Sequence, residues 1–212
     1  MKKTVYFVRH GQSEGNVGTV YQPLNSPLTE KGREQAKYIA ERVAAFSFES
    51  IVSSPLTRAK ETAETIAERV KKPIEFSDLF VERRKPTNLN GKSHADEDAQ
   101  ALNNDWEKSL YTSGYRAQDG ENFDELMLRA AQALKHLANR PEKELLVVTH
   151  GFFLRTMVAY IILGKKIDGD AFKHFQYRVR TQNTGLSVLE FDSELGDLSW
   201  RLLVWNDHAH LG

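Results

Sequence analysis

Two histidines in this chain each stand directly before a glycine, and each closes a short apolar run. Val5-Tyr6-Phe7-Val8 leads into Arg9-His10-Gly11, and Leu145-Leu146-Val147-Val148 leads into Thr149-His150-Gly151. A fixed neutral imidazole can act as a nucleophile, and a second can donate a hydrogen bond to the group under attack. The arginine beside the first histidine adds a rigid fork of donors matched to phosphate or carboxylate oxygens. A further segment, Ser53-Ser54-Pro55-Leu56-Thr57-Arg58, supplies another arginine, in the first turn of a helix and off its apolar stripe. Arg9 and Arg58 together would clamp an anion, each charge-assisted contact contributing roughly 1.5–3 kcal/mol. Taken alone, Arg58 could instead pair with Glu61 or Glu64 along its own helix. What points to a site is the doubling of His-Gly, since each glycine lets backbone approach a ligand closely.

The elements that must hold these residues follow from the apolar pattern. Aliphatic, aromatic and β-branched runs without alternation read as buried parallel strands, expected here at residues 5–8, 51–53 and 145–148, with a weaker one at 74–76. Ligands of open α/β sheets sit outside the carboxyl ends of such strands. Residues 11–28 read as a polar loop. Thr29 caps a helix to about residue 43, with Ala36, Ile39, Ala40 and Val43 inward. Ser54 caps the next, with Pro55 at its first position and Leu56, Ala59, Ala63, Ile66, Ala67 and Val70 on one side. Asn122 and Glu125 form a capping box before a helix that turns Phe123, Leu126, Ala130, Leu134 and Leu137 inward. An apolar helix after His150 ends at Gly164. Residues 186–191 and 200–204 read as late antiparallel edge strands. The alternation predicts an α/β fold, a three-layer α/β/α sandwich around a mostly parallel sheet. Residues 1–212 fit a single domain. Its stretch at about 83–120 turns polar, with Ala99, Leu102, Trp106 and Leu110 at helical spacing, and reads as a lid excursion over the site.

Composition removes several classes of function. The chain has no cysteine, which excludes disulfides, thiolate zinc sites and cysteine nucleophiles. Its 29 basic and 29 acidic residues cancel, against a nucleic-acid or membrane-surface partner. No apolar run reaches the ~18 residues of a membrane span, and the first is too short for a signal-peptide core, so a cytoplasmic protein is expected. Among the seven histidines only His208 and His210 cluster, near the C-terminus, where disorder is the default. His94, His136 and His174 stand alone, and neither a metal nor a cofactor is expected. Gly11-Gln12-Ser13-Glu14-Gly15 satisfies the nucleophile-elbow pattern, so a serine hydrolase using Ser13 and His150 competes. No earlier strand supplies its oxyanion loop, and no apolar helical stripe starts after Ser13. A silent module that only binds a phosphorylated ligand is the remaining class.

At these residues the chain resembles the histidine phosphatase superfamily, the phosphoglycerate-mutase-like proteins. Val8-Arg9-His10-Gly11-Gln12-Ser13-Glu14-Gly15-Asn16, Pro27-Leu28-Thr29-Glu30-Lys31-Gly32, Ser53-Ser54-Pro55-Leu56-Thr57-Arg58, the Glu82 segment and Val148-Thr149-His150-Gly151 occur in the family's order. The resemblance implies that His10 accepts the phosphoryl group and that Arg9 and Arg58 clamp its oxygens. It implies that His150 donates to the transferring group, that Asn16 and the Gly151 amide add contacts, and that Glu82 gives the leaving group its proton. Read alone, Glu82 opens a charged run and fits a solvated loop equally well. Two flanking guanidiniums should lower the pKa of His10. The activity implied is that of a phosphomonoesterase of the histidine acid phosphatase type, acting on a small-molecule phosphomonoester. A cofactor-dependent phosphoglycerate mutase is the alternative. Mutases of this family typically carry Trp before the first-loop Asn, then a Gly-Trp-x-Asp stretch, and an Arg-Arg-Ser segment in a longer insertion. Here Gly15 and Gln22-Pro23-Leu24-Asn25 stand in the first two places and the third is missing, which favours hydrolysis. Arg83, Arg84, Lys85 and Arg116 are candidates for a second anionic group of the substrate. Asn183 either lines the pocket or is a plain turn residue, and Trp106, Tyr111 and Tyr115 pack the lid onto the core.

Overall fold

In the computed structural model, which describes residues 1–212, the strands Lys2–Arg9 (β1), Ser50–Ser53 (β2), Ile74–Phe76 (β3) and Glu144–Thr149 (β4) run parallel. Leu186–Asp192 (β5) pairs antiparallel with β1, and Trp200–Asp207 (β6) antiparallel with β5, giving the order β3-β2-β4-β1-β5-β6. The helices are Glu14–Val17 (α1), Glu30–Val43 (α2), Thr57–Val70 (α3), Glu97–Lys108 (α4), Phe123–Asn139 (α5), Gly151–Leu163 (α6) and Gly169–Arg178 (α7).

Side chains of a strand alternate between its two faces, and both faces of this sheet are covered. Val5, Phe7, Leu145 and Val147 pack against α5 and α6, while Val8, Leu146 and Val148 pack against α2 and α3. A strand buried on both sides has no polar face to show, which is why these runs lack alternation. The result is the expected three-layer α/β/α sandwich.

Local chemistry explains the departures. β5 is an interior strand between β1 and β6, not an edge, because β1 has a second free side and Leu186, Ser187 and Leu189 of β5 are buried. α3 starts at Thr57 with Leu56 at its N-cap, so Ser54 does not cap it. The stretch read as loop contains α1, one turn capped by Ser13, whose amide donates to Asn16 Oδ1. α7 carried a readable start signal, since Asp168 accepts from the Ala171 amide at 2.8 Å. The C-terminal residues are packed rather than loose. Arg42 of α2 pairs with Asp207 and also reaches His210.

One buried ion pair fixes the approach to the site. Arg129 of α5 meets both oxygens of Glu121 at 2.7 Å and donates to the Leu79 and Val81 carbonyls, holding the segment that ends at Glu82. Both side chains are nearly inaccessible, 5% and 4% exposed. Removing one partner strands the other charge in the interior, so Glu121→Gln is expected to destabilise the protein by about 3–5 kcal/mol. A urea unfolding midpoint unchanged from wild type would show that Arg129 had found other compensation.

Candidate active site

Three strand ends place the chemistry. Arg9 closes β1 beside Thr149 of β4, and Ser53 closes β2 beside Val148 on β4's other side. His10 and His150 therefore emerge together, with ring centroids 5.0 Å apart, and both are buried. Arg58, in the first turn of α3 after β2, lies under the same edge and is only 3% exposed.

Hydrogen bonds set the histidine tautomers. His10 Nδ1 lies 2.7 Å from the Gly11 carbonyl, an acceptor only, so Nδ1 carries the proton. Nε2 then presents a lone pair, which accepts from Arg58 Nε at 3.3 Å. Burial, then the charges of Arg58 and Arg9, hold the His10 imidazolium well below the ordinary histidine range, so the ring is neutral. His150 Nε2 lies 2.8 Å from Ser54 Oγ, which itself accepts from the Leu56 amide. With the serine proton on that bond, His150 Nδ1 is a free N–H. The seryl side chain expected to cap a helix orients a histidine instead.

Three buried nitrogens in this site have no partner, Arg9 Nε, Arg58 Nη1 and His150 Nδ1, the last a donor when Ser54 gives its proton to Nε2. Buried polar atoms are almost always satisfied, and orphans on one site mark a missing ligand's place. Two guanidiniums and an imidazole outnumber the one carboxylate here, Glu82, which is engaged by backbone amides, so the ligand chemistry that fits is an oxyanion. Arg9 is held by the Thr181 carbonyl at 2.7 Å. A side chain at Gly151 would come within 3.0 Å of Arg9 Nε and 2.7 Å of Thr181 Oγ1, so glycine is what lets the guanidinium lie against α6.

Glu82 stands at the N-terminus of α6. Its carboxylate accepts from the Phe152, Phe153 and Arg83 amides at 3.2, 3.0 and 3.0 Å, and its charge acts on Arg9, Arg58 and Arg155. It is a tethered group at the wall of the site, not a solvated loop carboxylate. Asn16 is linked to the His10 loop through Asn183. Asn183 Nδ2 donates to the His10 carbonyl at 3.0 Å and to Asn16 Oδ1 at 3.3 Å.

Sequence reasoning missed the support beneath His10. Thr184 is fully buried, adopts a left-handed φ of 56°, and its amide donates to the Arg9 carbonyl at 2.9 Å. Its hydroxyl lies 3.0 Å from His210 Nε2, and His210 Nδ1 lies 3.2 Å from Arg42. His210, expected to lie in a loose tail, thus braces the loop that carries His10. Its pKa falls to about 4, through burial first and then Arg42. Only spatial pairing across most of the chain's length reveals this brace, and no local pattern encodes it.

Ser13 takes no part with the histidines. Its Oγ accepts from Gln22 Nε2 at 2.6 Å, and His150 pairs with Ser54. A cavity of about 570 Å³ opens over Arg58 and Glu82, walled by Tyr21, Leu24, Leu56, Val81 and Trp106. The polar excursion closes one side of it, tied to the first loop by bonds of Tyr21 with Lys92 and Gly91. Trp106 stacks on Arg83 rather than on the core, at 3.7 Å, and Tyr115 is exposed, bonded to Asp105.

A mixed α/β sheet thus carries two histidines and two arginines at the carboxyl ends of its parallel strands, a cationic pocket of the kind that suits an oxyanion. The sequence pattern of the histidine phosphatase superfamily (branch 1) matches residues 5–208, and the chain belongs to that superfamily. It is 34% identical over 219 residues to a probable phosphoglycerate mutase GpmB of Photorhabdus laumondii, covering 98% of this chain and 94% of the relative. The same named protein of Escherichia coli is 31% identical over 214 residues, with the same coverage of 98% and 94%. Among solved structures, Bacillus stearothermophilus YhfR superposes with a TM-score of 0.83 at 30% identity, covering 99% of this chain and 100% of that one. A mycobacterial glucosyl-3-phosphoglycerate phosphatase bound to VO3 gives 0.76 at 25% identity, covering 97% and 100%. No helix of the chain is long and apolar enough to cross a membrane.

Proposed function

We propose that the protein is a phosphohydrolase that removes a phosphoryl group from a small phosphomonoester through a phosphohistidine on His10 Nε2. What carries this reading is the set of three orphaned nitrogens, Arg9 Nε, Arg58 Nη1 and His150 Nδ1, on the residues that surround the His10 Nε2 lone pair, now held by Arg58 Nε. Phosphoryl oxygens satisfy those donors, and the shift of Arg58 onto them frees Nε2 to approach phosphorus. Phosphoryl transfer needs positioning and charge neutralisation more than covalent machinery, and these residues supply both. As the Nε2–P bond forms, the bond from phosphorus to the leaving oxygen breaks, and Glu82 passes to that oxygen a proton it has taken up from solvent. Water then attacks the phosphohistidine, Glu82 takes a proton from it, and inorganic phosphate leaves with His10 restored. Asn16 and the Gly151 amide add contacts to the phosphoryl group. We take residues 1–212 as one domain acting in the cytoplasm, with the stretch at 83–120 as a lid over the leaving group. A balanced count of 29 basic and 29 acidic residues supports a small-molecule partner over nucleic acid.

A second reading, phosphoglycerate mutase, is favoured by the names of the relatives at 34% and 31% identity. A mutase must keep water from the phosphohistidine while the intermediate turns over. The test is incubation with 3-phosphoglycerate and its bisphosphate primer, following phosphate release and isomer exchange together. Release faster than exchange is expected. Primer-dependent exchange that outruns release would make the protein a mutase.

A further inference from the structure

The fold disposes differently of the four cations that could meet a second anionic group. Arg83 is buried, pairs with Glu107 at 3.1 Å and stacks on Trp106, so its charge is spent. Arg116 meets both oxygens of Glu125 at 2.6 Å, in an outer groove. Arg84 is exposed on the rim shared by that groove and the cavity over Glu82.

Lys85 alone reaches into the cavity half-buried. Its ammonium donates to the Gln22 carbonyl and has no ion-pair partner. Three carboxylates line the same cavity, and none of them forms an ion pair with Lys85. Glu82 is tethered to the α6 amides, Asp119 accepts from the amide and hydroxyl of Thr87, and Asp78 lies on the shared rim. Burial, with Arg58 adding to it and Glu82 opposing, draws the Lys85 pKa down to about 8. A lysine so placed is short of negative charge, and an ammonium has three donors of which one is used. Around it the cavity is mainly apolar, through Leu24, Leu56, Val81 and Trp106, and its 570 Å³ exceeds what a phosphoryl group fills.

We propose that Lys85 is a specificity residue selecting phosphomonoesters whose leaving alcohol is a ring-sized, largely apolar group bearing a carboxylate. The carboxylate meets the Lys85 ammonium while Leu24, Leu56 and Trp106 cover the apolar body. This rests on the phosphohydrolase reading above and names the substrate class of the same site.

The test compares 4-carboxyphenyl phosphate with its neutral methyl ester, using phenyl phosphate as the measure of basal hydrolysis. The wild type should favour the carboxylate by about tenfold in kcat/KM, through KM, the factor that one partly screened ion pair supplies. In Lys85→Met the preference should fall to about one, and Lys85→Arg should restore part of it. Without any variant, the preference should fade as pH rises through about 8, where the ammonium loses its proton. Equal kcat/KM for the two esters in wild type, or a preference that survives Lys85→Met, would overturn the assignment of Lys85. No phosphate released even from phenyl phosphate would instead fell the phosphohydrolase reading itself.

Discussion

Replacing His10 with alanine is expected to lower turnover by several orders of magnitude, because the covalent route vanishes with the Nε2 lone pair that Arg58 now holds. Binding should survive better than turnover, since Arg9 and Arg58 remain. Brief reaction of the wild type with substrate, then quenching in base, should leave protein-bound phosphate that acid releases. That label should be missing from His10→Ala. Ser13→Ala should lose far less, as its hydroxyl only receives Gln22. The reverse pattern, an active His10→Ala and a dead Ser13→Ala, would hand the reaction to a serine nucleophile. The pH profile carries the same signature. Burial first, then Arg58 and Arg9, hold the His10 pKa well below 6.5, so the nucleophile stays neutral as pH falls through 6.5. An acid loss of kcat/KM centred near 6.5 would point to a histidine in ordinary surroundings.

Glu82→Gln should separate substrates by how much help their leaving group needs. Glutamine keeps the size of the side chain and one oxygen for the α6 amides, but has no proton to give. Alkyl phosphates should slow by about 10²–10⁴, the usual span of general acid–base catalysis, whereas p-nitrophenyl phosphate, whose nitrophenolate departs unaided, should slow only slightly. Equal losses on both would mean that Glu82 orients α6 and Arg58 without moving a proton.

The fold was readable where chemistry is local. The unbroken apolar runs before His10 and His150 are strands because both faces of the sheet are covered. Thr29 and the Asn122–Glu125 box mark helix starts through bonds that span three residues. Legibility stopped where partners are distant. Pro55 made Ser54 look like a cap, yet the hydroxyl turns to a histidine from another strand's end, 96 residues on. β5 looked like an edge because nothing in its own sequence says that β1 has an open side. Arg83, Arg84 and Lys85 are adjacent and alike in charge, yet one is buried, one exposed and one in the cavity, a sorting made by Glu107, Trp106 and Gln22. The pairing of the two histidines was visible as a repeat, while the brace of Thr184 and His210 beneath them was not.

The position of β1 in the sheet also governs how the enzyme comes into being. Thr4 pairs on one side with Glu144 and on the other with Glu190, so the first strand made has no neighbour until most of the chain exists. Closing such long loops before any contact rewards it makes folding slow, and an apolar strand left waiting is prone to wrong pairing. His10 thus sits at the head of a strand that docks late, on a loop whose last support, His210, is near the end of the chain. A ribosome carrying half of this polypeptide carries Arg9, His10, Arg58 and Glu82 but not the strand end that brings His150 among them.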